Sequence, residues 1–240
     1  THSHYDHCYG NAQFDKVYCH EYEFDAIMSK NNPDIWDYLF NQTDHDIDVW
    51  GNTIHPGEPV YTEFDKKDII VDIEHKETYK PYEVIPVEDG HIFDLGDGYL
   101  VEAVLLPGHT MGQCGFYDHQ NHTLCCGDVT GIGRQPAGTP HGEYCTVEAL
   151  HDALTKLQPR FKDISGVFPG HGAWDVSPLC LQYLLDTTNA IMKNPENYDK
   201  KSEFERDGKK MISLTKNIHQ WTALRYSLNR VYKQQFLKDK

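Results

Sequence analysis

Four side chains able to hold a metal ion, His2, His4, Asp6 and His7, fall within six residues at the start of this chain. Further along come Pro107-Gly108-His109-Thr110, Gly127-Asp128 and Pro169-Gly170-His171-Gly172. The set is five imidazoles and two carboxylates, nitrogen and oxygen donors that suit zinc and also accommodate iron or manganese. His2 and His4, two apart, share one side of an extended segment and can grip one ion, with Asp6 and His7 turning toward a second. A lone His-x-His says little, since histidine is common on surfaces. Four such motifs in one chain say much more. Two neighbouring divalent ions make hydroxide available near neutral pH and polarise a carbonyl oxygen, so the chemistry expected is hydrolysis without a serine or cysteine nucleophile.

These ligands need a rigid frame, and the pattern of the chain supplies one. Lys16 to His20 reads as a strand, Glu21 to Lys30 as a helix, and Pro33 opens a second helix through Phe40. Residues 41–81 lose periodicity and carry scattered charges and aromatics, among them Trp50, His55 and Phe64, which reads as an insertion or lid. Strands are expected at Tyr82 to Val87, His91 to Leu95, Tyr99 to Leu106, Gln113 to Tyr117, Thr123 to Cys126 and Ile164 to Phe168. Gly96-Asp97-Gly98 is expected as a hairpin turn. Thr146 to Leu157 reads as a helix with Thr146 as its cap, and Ser177 to Lys193 as another. Ile218, Trp221, Leu224, Leu228 and Val231 recur at spacings of three and four, so the tail from Met211 to Phe236 is expected to be an amphipathic helix. The ligand motifs all fall at strand ends or in the turns after them, where a sheet can aim side chains into a shared cleft.

The remaining composition sets bounds. At 240 residues the simplest count is one domain, 1–240, with 41–81 as insertion and 200–240 as a C-terminal helical extension. A formal charge of −15 argues against nucleic-acid binding, which needs clustered Lys and Arg. No apolar run approaches a membrane span. The seven cysteines show no Cys-x-x-Cys spacing, which fits reduced thiols and a cytoplasmic location. The expected partner is a small-molecule substrate, with neither nucleic acid nor membrane, and a homodimer is left open.

With its ligand motifs in this order, the chain resembles the metallo-β-lactamase-fold superfamily of metallo-hydrolases. The resemblance spans roughly His2 to His171 and implies an α/β fold, an αββα sandwich with the metals at one edge between two sheets. It implies that His2, His4 and His109 hold one metal, that Asp6, His7 and His171 hold the other, and that Asp128 bridges them. The cofactor implied is two zinc ions, with iron or manganese as substitutes. Family members usually carry several strands before the first His motif, and this sequence has none there, so a preceding segment is expected in the longer protein.

Residues beside the ligands speak to the branch. Asp128 stands where some β-lactamases have Cys, and so looks like the thioesterase, lactonase and dioxygenase branches. Gly131 stands where related lactonases often have Tyr, and His4 where flavodiiron proteins have Glu. The run from Gly127 to Arg134 is similar to, but shorter than, the glycine-containing loop of glyoxalase II-like thioesterases. The reading is a binuclear metal-dependent hydrolase of a small thioester, ester or lactone, with Asp6 and Asp128 as catalytic residues. Tyr5, Arg134 and His141 are candidates for substrate contact. A mononuclear-iron persulfide dioxygenase is the alternative, with β-lactam hydrolysis as a minor activity and a non-enzymatic assembly module as a remoter one.

Overall fold

The computed structural model describes residues 1–37, 78–136, 138–172, 176–206 and 208–237. They fall into two compact units: Thr1–His2, Cys19–Glu23 and Pro86–Lys240 form the larger, and Ser3–Tyr18 and Phe24–Ile85 the smaller.

The larger unit is built on a five-stranded sheet of β3 (Ile92–Asp94), β4 (Leu100–Leu105), β5 (Cys114–Asp118), β6 (Thr123–Gly127) and β7 (Gly166–Pro169), in that order. Neighbours are antiparallel except β6 and β7, which run parallel. That parallel pair requires a crossover, supplied by α3 (Val147–Leu157) between them. Side-chain alternation sends Val104, Leu106, Tyr117, Leu124, Cys126 and Val167 into one buried cluster with Leu150 and Leu154 of α3 and Leu181 and Leu184 of α4 (Leu179–Lys193). Thr146 caps α3 as its sequence promises, its Oγ1 accepting from the Ala149 N–H at 3.2 Å. The Gly96-Asp97-Gly98 turn holds all three residues at positive φ, 87°, 51° and 82°, which explains the two glycines.

The tail corrects an expectation. From residue 200 onward the chain is not a helical extension but a three-stranded antiparallel sheet of β8 (Lys200–Arg206), β9 (Lys209–Asn217) and β10 (Ala223–Tyr226). It ends in a 3-10 turn, Leu228–Arg230, and the short helix α5 (Lys233–Leu237). Ile218, Leu224 and Val231 are buried, but they reach the core from a turn, a strand and a loop. The spacing of three and four spans the β9–β10 turn, where Ile218 N–H donates to Thr222 O and Gln220 takes φ 54°. A turn that returns apolar residues at that interval mimics a helical stripe.

The smaller unit contains α1 (Tyr5–Cys8), a 3-10 turn at Tyr9–Gln13 and α2 (Phe24–Met28), and most of β1 (Lys16–His20) and β2 (Glu83–Val87), which pair. The helix expected from Glu21 is a 3-10 turn, Glu21–Glu23, followed by α2. Asn31 ties its ends: Nδ2 donates to Tyr82 O at 2.7 Å, and Oδ1 accepts from the Tyr79 hydroxyl at 3.1 Å. Residues 34–37 are helical after Pro33, as expected. The insertion or lid read over 41–81 lies outside the described residues except for 78–81. Among the described residues no helix is long and apolar enough to cross a membrane.

Candidate metal centre

Each candidate ligand of the larger unit is placed by backbone at or beside a strand end. Thr1 O accepts from the Cys114 N–H at 2.9 Å, which moors His2 beside the start of β5. His109 follows β4 through Gly108, whose φ of 123° and close neighbours Ile132 and Leu150 demand glycine. Asp128 follows β6, whose register shifts between Cys125 and Gly127 so that the strand breaks stride just before the carboxylate. The Asp128 N–H donates to Gln113 Oε1 at 3.0 Å, while Gln113 Nε2 donates to Leu106 O at 3.1 Å. Gln113 is fully buried and so fixes the ends of β4 and β6 relative to each other. His171 follows β7, with the Gly170 N–H donating to Gly127 O at 3.0 Å.

These four side chains converge on one atom. Asp128 Oδ2 lies 3.9 Å from His2 Nε2, 3.5 Å from His109 Nε2 and 3.2 Å from His171 Nε2. The rings of His2 and His109 meet edge to face with centroids 4.8 Å apart. Two donors at roughly 2.1 Å from a tetrahedral cation are about 3.4 Å apart, so the spacings are those of ligands around an ion. Three imidazoles around a single carboxylate oxygen exceed what its lone pairs can serve as hydrogen bonds alone. The donor set therefore fits a divalent metal.

The far nitrogens support this. His109 Nδ1 lies 3.1 Å from Gly131 O, and a carbonyl can only accept, so the proton is on Nδ1 and the lone pair on Nε2. His2 Nδ1 lies 3.0 Å from Thr1 Oγ1, a second such orienting contact. Glu23 Oε1 accepts from the Gly112 N–H at 2.9 Å and pins the loop that carries His109. Gly133 is packed so closely that a Cβ there would lie 2.2 Å from His109 O.

In the smaller unit Asp6 and His7 sit on α1, with His7 Nε2 3.6 Å from Asp6 Oδ2. His4 is the residue before that helix, and its carbonyl accepts from the His7 N–H at 3.0 Å. Tyr5, on the same turn, is half-buried. Of the other substrate candidates, Arg134 holds its guanidinium 4.7 Å over the Phe204 ring. His141 adopts a left-handed backbone, φ 60°, and stacks on Tyr22 at 4.0 Å. In the sequence Gln113 had no mark beyond opening an expected strand, and Gly131 and Gly133 were marked only by their place in the run from Gly127 to Arg134. Their roles come from hydrogen bonding and close packing, which leave no motif.

No family model matches the chain. Over 90 residues it is 39% identical to the hydroxyacylglutathione hydrolase GloC of Haemophilus influenzae, covering 36% of this chain and 40% of that one. Over 80 residues it is 35% identical to a hydroxyacylglutathione hydrolase of Prochlorococcus marinus, covering 30% of this chain and 31% of that protein. A longer match, 26% identical over 174 residues, is to the human acyl-coenzyme A thioesterase MBLAC2, covering 71% of this chain and 54% of that protein. The chain thus spans between about a third and a half of these relatives. Among solved structures, a metallo-β-lactamase family protein of Thermus thermophilus aligns over 84% of this chain and 64% of its own, at 20% identity and a TM-score of 0.44.

The chain resembles the metallo-β-lactamase-fold superfamily, with an α/β architecture. Within that superfamily the relationship is glyoxalase II-like.

Proposed function

We propose that this protein is a metal-dependent hydrolase of small thioesters, with esters and lactones as further substrates. The observation that carries the reading is the convergence of three imidazole Nε2 atoms on Asp128 Oδ2. The likeness to hydroxyacylglutathione hydrolases and to an acyl-coenzyme A thioesterase supports the choice of thioesters. His2, His4 and His109 would hold one ion and Asp6, His7 and His171 the other, with Asp128 serving both. His4, Asp6 and His7 follow His2 by two, four and five residues, so the peptide chain itself keeps them within reach of it. Two divalent cations would supply Lewis acidity, making hydroxide available near neutral pH and polarising the thioester carbonyl.

The protein's own residues do the rest. Gly131 O and Thr1 Oγ1 hold the rings of His109 and His2 in orientation, so that little reorganisation accompanies reaction. Gln113 holds the backbone of Asp128 in place. Asp6, exposed on α1, takes up the proton lost by the attacking water and returns one to the leaving thiolate.

The test is metal analysis of the purified protein, combined with a panel of thioesters, lactones and β-lactams. About two zinc ions per chain and preferential thioester cleavage are expected, with activity lost to a chelator and restored by zinc. One iron per chain with oxygen consumption would overturn hydrolysis in favour of a dioxygenase. Asp128→Ala should lower metal content and reduce turnover by roughly 10³-fold or more, since the carboxylate serves both ions. Unchanged metal content and turnover in that variant would overturn the assignment.

A further inference from the structure

The C-terminal sheet passes beside His109 and brings one cation with it. Arg225 O accepts from the Ile132 N–H at 2.8 Å, and the Arg225 N–H donates to Thr130 O at 3.0 Å. These two bonds bridge Arg225 to Gly131 as parallel neighbours. Residues paired in this way send their side chains to the same side, with about 4.8 Å between the two segments. Gly131 shows which side that is: a Cβ there would lie 3.4 Å from His109 Nδ1 and meet nothing else but that ring. The Arg225 side chain therefore leaves β10 on the side where the His109 imidazole lies. Leu224 and Tyr226, its neighbours in β10, point the other way and are buried in the core.

Arg225 is exposed, and among the described residues no carboxylate pairs with it. Strand register keeps it that way. Opposite it stand Thr215 of β9 and, beyond, Lys200 of β8. The described acids of these strands, Glu203 and Glu205, lie on the other side with Leu214, where Lys201 pairs with Glu203 at 3.2 Å. In a chain with 37 acidic residues against 22 Lys and Arg, a cation held clear of every one of them is a feature of the site. Gly131 agrees with this. Its φ lies outside the left-handed region, and no backbone atom crowds its Cβ position, so neither turn geometry nor packing calls for glycine. What glycine leaves is open space between the His109 imidazole and the strand that carries the guanidinium.

We propose that Arg225 binds a carboxylate carried by the acyl half of the substrate, so that the preferred substrates are half-thioesters and half-esters of short dicarboxylic acids. The planar guanidinium takes a carboxylate through two parallel N–H···O bonds. In a four-carbon diacid the carboxyl carbons are about 4 Å apart across three C–C bonds, close to one strand spacing. The scissile carbonyl then lies beside His109 while the far carboxylate reaches the side chain of the next strand. The acyl half is also the part that thioester, ester and lactone substrates share. This rests on the hydrolase reading for its substrate, but binding of the product acid tests it without turnover. Calorimetric titration of the protein as purified compares succinate with butyrate, which has a methyl in place of the second carboxylate. Succinate should bind at least about tenfold more tightly. Arg225→Gln, which keeps bulk without charge, should bring the two acids to within about threefold, and Arg225→Lys should keep part of the preference. Lys201→Ala, on the opposite side of the sheet, should leave it intact. The succinyl and butyryl thioesters of one uncharged thiol, N-acetylcysteamine, should differ in kcat/KM in the same sense. Equal binding of the two acids, no binding of succinate, or a preference that survives Arg225→Gln would each overturn the proposal. Failure to cleave any thioester would instead count against the hydrolase reading, with the binding comparison still deciding the role of Arg225.

Discussion

His109 shows how much of a candidate metal ligand's geometry is set by residues around it that are not themselves donors. Its Nδ1 is committed to Gly131 O, its loop is pinned by Glu23, and its carbonyl lies against Gly133. Gly133→Ala would place a methyl carbon 2.2 Å from His109 O, a backbone atom that cannot swing aside. The variant should lose roughly 3 kcal/mol of stability and bind metal more weakly, because relief of the clash displaces His109. Chemical denaturation alongside metal titration reads both, and a fully stable, fully metallated variant would contradict the packing described. In the sequence Gly133 is one glycine of the run from Gly127 to Arg134, with no sign of this contact. The histidines announce themselves by type and spacing, whereas the residues that aim them are ordinary glycines and a glutamine whose importance lies in close approach.

At the scale of elements, β4 and the 3-10 segment Gln158–Asp163 are joined at the opposite end of β4 from His109 by a bidentate pair. Arg160 Nη1 and Nη2 donate to Glu102 Oε1 and Oε2 at 2.7 and 2.8 Å, and Arg160 also lies over the Tyr117 ring. The Arg160 hydrogen bonds, opposed by desolvation, hold the Glu102 carboxyl below its ordinary value of 4.5. A depressed folded-state value means that the contribution is fully present above about pH 5 and is lost as pH falls through the lowered value. The guanidinium is about one-third exposed, so solvent screening leaves the pair worth about 1 kcal/mol. Glu102→Gln should therefore lower stability by about that amount near neutral pH, with the difference from wild type vanishing once the pH is brought well below the lowered value. Urea titrations at the two pH values decide it, and a difference that grew on acidification would refute the linkage. The positions of the main sheet's strands and the two long helices were legible in the sequence because alternation and capping are local. The C-terminal sheet was not, since a β-turn that returns apolar residues every three or four positions imitates one face of a helix.

For the whole molecule, the seven thiols give a measure of how completely the fold is closed. Six are buried and only Cys125 is exposed. Burial pushes the thiols of Cys19, Cys114, Cys145 and Cys180 up to about 12, and that of Cys126 higher still. The Cys125 thiol is also raised by burial, but its residue remains open to solvent. Since the thiolate is the reactive form, an alkylating reagent near neutral pH should modify Cys125 alone in the native protein, slowly, and all seven after unfolding. Mass spectrometry of the labelled protein tests this, and rapid native labelling of Cys126 or Cys114 would show a looser core than the one described.

The identities and order of the seven candidate ligand residues pointed to metal-dependent chemistry, because imidazole and carboxylate donors in that number have few other uses. Local patterning likewise determined most of the strands of the main sheet, since alternation needs no knowledge of distant residues. What only the tertiary structure decided is convergence. His2, His109, Asp128 and His171 are separated by up to 169 residues and meet because three strands and a mooring at Thr1 end at the same edge. It also decided that the tail folds as a sheet with all its described acids on one side, a property of strand register, which arises from pairing between segments and leaves no trace in either one alone.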